Sequence, residues 1–291
     1  MRKILLWLRI IRPQTLFASL VPTLLGLLFV SRCGSHVVAH HPVLAGALTV
    51  VCALSLQILS NLINDYYDYL RGSDKAGRAG FRRALAEGEV TKRQMLCACL
   101  LALAVALCTG FYLVLVGGWP ILAVGVSAII FAWLYTATSH SLSYLGIADI
   151  FVLLYYGVVA STGTVWIQTH SFCSTAFWAG AVSGLISMGV LMINNLRDID
   201  DDRAAGKKTL PVRFGKRAGE VIMLCEVLLM PACAFLAFGL SVPMLIIIPA
   251  GALWLAVLKA RGAAYNKCLL ATGFVNLIYL LLCVLQVSCS F

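Results

Sequence analysis

Asn61, Asn64, Asp65 and Asp68 fall at i, i+3, i+4 and i+7 in NLINDYYDYLRGSD. On a helix this spacing puts two carboxylates and two amides on one face. Asp74 closes the segment. A second set recurs in NNLRDIDDDRAAGKKT, where Asn194 and Asn195 precede Asp198 and Asp202. Like charges at such spacings repel unless a cation neutralises them. Hard oxygens of this kind suit Mg²⁺, which takes one or two carboxylates, keeps water and bridges to phosphate oxygens. The candidate metal ligands are Asn64, Asp65, Asp68 and Asp74 in the first set and Asn195, Asp198 and Asp202 in the second. Mn²⁺ is an expected substitute. If the second helix continues past Asp198, Asp198, Asp201 and Asp202 are close on its surface, with Asp201 turned toward solvent.

Cations accompany both sets. Arg71, Lys75, Arg78, Arg82 and Arg83 follow the first, and Arg203, Lys207 and Lys208 follow the second. Metal-bound acids would take one part of a diphosphate and the cations its remaining oxygens. Both segments open with Asn, three residues and Asp, then run on to RAG or RAAG. The repetition suggests a duplicated unit with one site between its halves. The plainer reading of each acid alone is a solvated helix end, and of the cations a cytoplasmic charge bias. A non-enzymatic cation transporter would place its acids at mid-span. Here they lie at span ends beside basic loops. Glu226, the acid clearly inside a span, is expected to pack inward near the cytoplasmic end.

The elements that must position these groups are membrane helices. Of 291 residues, 61% are hydrophobic and 12% charged, where a soluble domain carries roughly 25% charged. Nine apolar runs, at about 16–32, 43–64, 95–116, 119–137, 147–168, 175–196, 220–240, 242–259 and 268–288, approach the ~20 residues that span a bilayer as helix. None alternates with period two, which argues against a membrane barrel. The chain is read as one all-α domain over 1–291, with 1–13 an interfacial amphipathic segment. Except for Arg32, the Lys and Arg residues fall in the N-terminus or in the loops at 65–94, 197–219 and 259–267. These share the cytoplasmic face, with the N-terminus inside. The charge of +10 thus describes one side of a membrane protein, and no basic soluble module points to nucleic acid. The cysteines suit helix packing, while Cys33 and Cys173, both in outside loops, could form one disulfide.

Over nearly its whole length the sequence resembles the UbiA-type superfamily of intramembrane aromatic prenyltransferases. The resemblance is carried by Asn64, Asp68 and Asp74, by Asn195, Asp198 and Asp202, by RPQTLFASLVP at 12–22 and by LYTATSHSLSYLGIADI at 134–150. The first motif delays its last acid by two residues, placing Gly72 where many members have the acid. That form resembles the 1,4-dihydroxy-2-naphthoate branch of menaquinone synthesis. The resemblance implies nine helices around a central cavity and Mg²⁺-dependent transfer of a polyprenyl chain from its diphosphate to an aromatic acceptor in the membrane. For the naphthoate branch it implies loss of CO₂ and a demethylmenaquinol product. The alternative is another acceptor, such as 4-hydroxybenzoate or an isomeric dihydroxynaphthoate. It further implies Arg12, Lys75, Arg78, Arg82, Arg203 and Lys207 at the diphosphate, and Asp68, Asp198, Tyr144 and Asp149 in catalysis. Tyr135 is a further candidate at the acceptor end, where relatives often carry Lys or Arg and this chain has only His140. Tyr67, Tyr144, Tyr155 and Tyr156 are candidates to stabilise an allylic cation with their ring faces. Gly157, Gly163, Gly180 and Gly184 would let helices approach and leave the prenyl tail a groove toward lipid. The expected setting is a bacterial cytoplasmic membrane. The CDP-alcohol phosphotransferases also use acidic clusters in membranes, but their DG-x₂-AR opening is absent.

Overall fold

The computed structural model describes residues 2–33, 36–72, 83–136 and 147–289, and among them every regular element is helical. Asp74, Lys75, Arg78, Arg82, His140 and Tyr144 lie outside the described residues, as does the side chain of Tyr135. Among the described residues eight helices are long and apolar enough to cross a membrane. They are α2 (Pro13–Cys33), α3 (Pro42–Leu70), α4 (Lys92–Gly117), α6 (Ala148–Thr169), α7 (Ser174–Arg197), α10 (Lys216–Phe238), α11 (Val242–Lys259) and α12 (Ala264–Cys289). The expected run at 119–137 forms helix α5, Trp119–Thr136, whose apolar part is shorter. Three short helices complete the described residues: α1 (Arg2–Ile10), α8 (Ile199–Ala204) and α9 (Leu210–Phe214). The protein is an integral membrane protein.

Local chemistry sets the helix ends. Pro13 and Pro42 open α2 and α3, where a missing N–H costs nothing. Thr91 and Gln94 close a reciprocal capping box on α4. Gly118 and Gly239 follow α4 and α10 at positive φ, a conformation that ends a helix without a Cβ penalty.

Helix α7 is the hub, with contacts to α2, α6, α10 and α12. Its partner α6 is antiparallel and very close. A Cβ at Gly157 would fall 2.6 Å from the Gly180 carbonyl, and one at Gly184 would fall 2.6 Å from the Leu153 carbonyl. Ser161 donates to the Ala176 carbonyl farther along the same seam. Gly157, Gly180 and Gly184 therefore do what small residues do in membranes, letting two backbones meet. Gly163 has open space instead and lines the central cavity. At the end of the bundle away from the acidic motifs, the Cys33–Cys173 disulfide ties α2 to the start of α7.

Candidate active site

A cavity of about 860 Å³ runs between the helices, and its polar end is built from the two acidic segments. Asn64 and Asp68, on the last turns of α3, face it from one side. Asn194, Asn195, Asp198 and Asp202, around the junction of α7 and α8, face it from the other. The helix does not run on past Asp198. Asp198 is the break itself, closing α7 and opening α8. The turn still buries Asp198 and Asp202 and leaves Asp201 exposed, as expected.

Lys207 joins the two sides. Its ammonium lies 3.3 Å from Asp202 Oδ1 and 4.0 Å from Asp68 Oδ2. The other oxygen of Asp68, Oδ1, is buried and has no hydrogen-bond partner among the described residues. An acceptor oxygen left without a donor on a cavity wall is costly unless something positive meets it. Among the described residues no three His, Cys, Asp or Glu side chains converge on one point. Carboxylate and amide oxygens of the kind on this wall suit an ion that takes one or two carboxylates and completes its shell with water and phosphate. The donor set therefore fits Mg²⁺. Asn64, Asp68, Asn195, Asp198 and Asp202 are the residues that would hold it.

Asp65 has other business. It is buried, is not on the cavity wall, and pairs with both Arg12 and Arg83. Arg12 itself sits at φ 55° between α1 and α2, a conformation that a non-glycine residue adopts only when its surroundings hold it. Asn61 helps to hold it, donating to the Ile11 carbonyl at 3.1 Å and to Thr15 Oγ at 2.9 Å. In this way α3 grips the start of α2 and turns the Arg12 and Arg83 guanidiniums toward the cavity, which both line.

Two residues overlooked in the sequence belong here. Arg197 is nearly buried, lines the cavity and binds both oxygens of Asp198 at 2.7 Å. Thr209 is buried on the wall, with its hydroxyl unpartnered among the described residues. Arg203, expected at the diphosphate, is exposed and pairs with Asp200 at 3.1 Å, away from the cavity. A helix of only six residues turns its side chain outward while its neighbour Asp202 turns in.

Toward the middle the wall becomes aromatic and apolar. Helix α6 carries one π-helical stretch, Leu154–Val159, a local widening often found at functional sites. It puts Tyr155 and Tyr156 side by side on the cavity. Tyr155 donates to Ser127 at 2.7 Å and packs edge-on against Phe131. Asp149, one turn earlier, also faces the cavity. Tyr67 is not on the wall. It packs against Tyr66 beside α4. Leu107 and Phe111 of α4 and Leu122 and Val126 of α5 line the cavity and are at least half exposed. The cavity is therefore open sideways between α4 and α5, a different seam from the glycine-rich contact of α6 and α7.

Residues 19–283 match the UbiA prenyltransferase family. The chain is 34% identical over 248 residues to the 1,4-dihydroxy-2-naphthoate octaprenyltransferase of Haemophilus influenzae, covering 82% of this chain and 78% of that one. This protein belongs to the UbiA prenyltransferase family. The enzyme of the same name from Escherichia coli is 35% identical over 216 residues, covering 72% of this chain and 68% of its own. The fold of this family member matches that of a UbiA homolog from Archaeoglobus fulgidus bound to GPP and Mg²⁺, with TM-score 0.66 and 18% identity. The alignment covers 97% of this chain and 99% of that one. The apo UbiA homolog from Aeropyrum pernix matches with TM-score 0.62 and 17% identity over 92% of this chain and 96% of that one.

Proposed function

We propose that this protein transfers a polyprenyl chain from its diphosphate to 1,4-dihydroxy-2-naphthoate, releasing diphosphate and CO₂ and giving demethylmenaquinol. The observation that carries the reading is one cavity with acids and cations from two segments at one end and a lateral apolar opening farther along. A diphosphate fits the charged end, and a prenyl tail fits the opening. Relatives with this activity in their names, at 34–35% identity over most of the chain, support the acceptor.

In this reading Asn64, Asp68, Asn195, Asp198 and Asp202 hold Mg²⁺, with Asp74 added on its sequence position alone. When bound, the ion neutralises charge on the departing diphosphate. Arg12, Arg83, Arg197 and Lys207 bind the remaining oxygens, and Lys75, Arg78 and Arg82 are proposed partners from sequence. Asp65 anchors Arg12 and Arg83 and is not itself a ligand. Tyr155 and Tyr156 present ring faces where an allylic cation develops. Asp149 meets the acceptor, with Tyr144 proposed beside it from sequence.

The whole chain acts as one domain, with α5 as the ninth span and the acidic end in the cytoplasm of a bacterium. Two facts support that orientation. The basic residues cluster with the acidic motifs, and the Cys33–Cys173 disulfide lies at the opposite end, where an oxidising compartment would preserve it.

Purified protein with Mg²⁺ and labelled prenyl diphosphates, offered a panel of acceptors, tests the function. Transfer to 1,4-dihydroxy-2-naphthoate with release of CO₂ is expected. Preferential transfer to 4-hydroxybenzoate or to an isomeric dihydroxynaphthoate would reassign the acceptor.

A further inference from the structure

Thr209 stands one position before α9, and its carbonyl accepts the N–H of Arg213 at 3.0 Å. A threonine in that place ordinarily accepts, through its hydroxyl, the N–H of the second or third helical residue. Here the second is Pro211, which has no N–H. The third is Val212, and no side-chain cap forms. The five other buried threonines, Thr23, Thr49, Thr164, Thr169 and Thr272, each donate to the carbonyl four residues back in their helices. Thr209 has no such carbonyl, because it lies between helices. It is 4% exposed, and its hydroxyl is buried with no hydrogen-bond partner among the described residues. A buried O–H without an acceptor is costly.

The surroundings indicate what the acceptor is. Thr209 lines the polar end of the cavity together with Asp202 and Lys207. The chain turns there at Gly206, φ 75°, and the Lys207 N–H donates to the Asp202 carbonyl at 2.9 Å. This turn holds the Lys207 ammonium 3.3 Å from Asp202 Oδ1, two residues before Thr209. A further cation placed directly on Thr209 would meet the repulsion of that ammonium, whereas an anion would be drawn to it. We propose that the Thr209 hydroxyl donates to a terminal phosphate oxygen of the prenyl diphosphate, which makes Thr209 a binding residue for the leaving group. The proposal rests on the function argued above. A helix of five residues offers no anion site of its own, so the side chain is the donor. No bond to Thr209 forms or breaks. As the prenyl C–O bond breaks, its electron pair leaves with the diphosphate, and the added charge strengthens the bond from the hydroxyl. Inorganic diphosphate, the product, is then held by the same contact.

The test uses the full-length protein with Thr209→Val, which keeps shape and removes the hydroxyl, and Thr209→Ser, which keeps the hydroxyl. The probe is inorganic diphosphate at saturating Mg²⁺, followed by calorimetric titration and as a product inhibitor. Thr209→Val should weaken its binding roughly 10- to 100-fold, the worth of a hydrogen bond to a charged group. It should lower kcat/KM for prenyl diphosphate by a similar factor, and Thr209→Ser should recover most of both losses. With prenyl diphosphate saturating, the Mg²⁺ concentration for half-maximal activity should not change, because the hydroxyl meets phosphate and not the ion. The ligand-free melting temperature of Thr209→Val should equal or exceed that of the wild type, since a methyl replaces an unpaired buried hydroxyl. Wild-type affinity for diphosphate in Thr209→Val overturns the proposal. A raised Mg²⁺ requirement also overturns it, by placing the hydroxyl on the metal. Equal losses in Thr209→Val and Thr209→Ser overturn it as well, by making the residue structural. If diphosphate binding behaves as expected but no acceptor in the panel is prenylated, the assigned reaction fails while the contact at Thr209 stands.

Discussion

The Lys207 ammonium lies 4.0 Å from the carboxylate of Asp68, a residue from the other acidic segment. A single cation thus stands between the two halves of the site, where a diphosphate would bring its own negative charge. Lys207→Met should raise KM for prenyl diphosphate by roughly 10- to 100-fold, the worth of about one charged hydrogen bond. Lys207→Arg should recover part of that loss. Steady-state kinetics at saturating Mg²⁺ checks it, and an unchanged KM would remove Lys207 from the diphosphate site.

Asp68→Asn and Asp198→Asn keep volume and remove charge. Each should cost roughly 10²–10⁴ in rate, equivalent to a few kcal/mol of metal-borne stabilisation at about 1.4 kcal/mol per factor of ten. Asp201→Asn should cost little, since Asp201 is exposed. Melting curves give a second measure. Mg²⁺ plus prenyl diphosphate should stabilise the wild type, because a ligand bound only by the folded state raises apparent stability. Asp68→Asn and Asp198→Asn should lose most of that shift. Equal losses at Asp201 and Asp198 would mean that the carboxylates are misassigned.

Chelation should abolish transfer. EDTA removes the ion that Asp68 Oδ1 and its neighbours are set to hold, and Mg²⁺ should restore activity, with Mn²⁺ as an expected substitute. Full activity in chelator would contradict the role given to both acidic segments.

Orientation can be read from single cysteines. A cysteine at Ala204, which is exposed beside the acidic motifs, should be labelled from inside-out vesicles. One at Val37, 48% exposed near the disulfide, should be labelled from intact cells. The reverse pattern would invert the assigned topology. Cys33→Ser should destabilise the protein by about 2–4 kcal/mol, the usual worth of a disulfide closing a long loop.

Gly157 is packed too closely for any side chain. Gly157→Ala would set a methyl 2.6 Å from the Gly180 carbonyl, so α6 and α7 must separate. A lower melting temperature is expected, with activity falling alongside it because Tyr155, Tyr156 and Asp149 ride on α6. Gly163→Ala, with open space around it, should leave the melting temperature within about 0.5 kcal/mol of wild type in stability terms.

Much of this was legible in the sequence. Apolar run length located the spans, since a membrane demands continuous helices. The acids at 65–68 and 198–202 stood out because charge is rare in such a chain. What escaped depends on through-space partners and on breaks in regular structure. Asp65 and Asp68 share a helical face in the sequence, yet Arg12 and Arg83 claim one and leave the other open. Arg197 and Asp198 are adjacent, and on a continuing helix they would diverge. Because α7 ends between them, the guanidinium folds onto its neighbour. The π-helical stretch that pairs Tyr155 with Tyr156 has no signature in residue type. Glu226, expected to pack inward, is buried beside Gly189 of α7.

The sideways opening between α4 and α5 makes the bilayer the measure of tail length. Isoprene units beyond those that fill the cavity stay dissolved in lipid before, during and after transfer, so lengthening the tail adds the same free energy to substrate, transition state and product. Turnover should then level off once the tail is long enough to reach the lipid. What counts as substrate concentration is the mole fraction of prenyl diphosphate in the membrane plane, not its molarity in water. A protein with this side exit does not need a ruler; it needs only to be surrounded by the solvent its product already prefers.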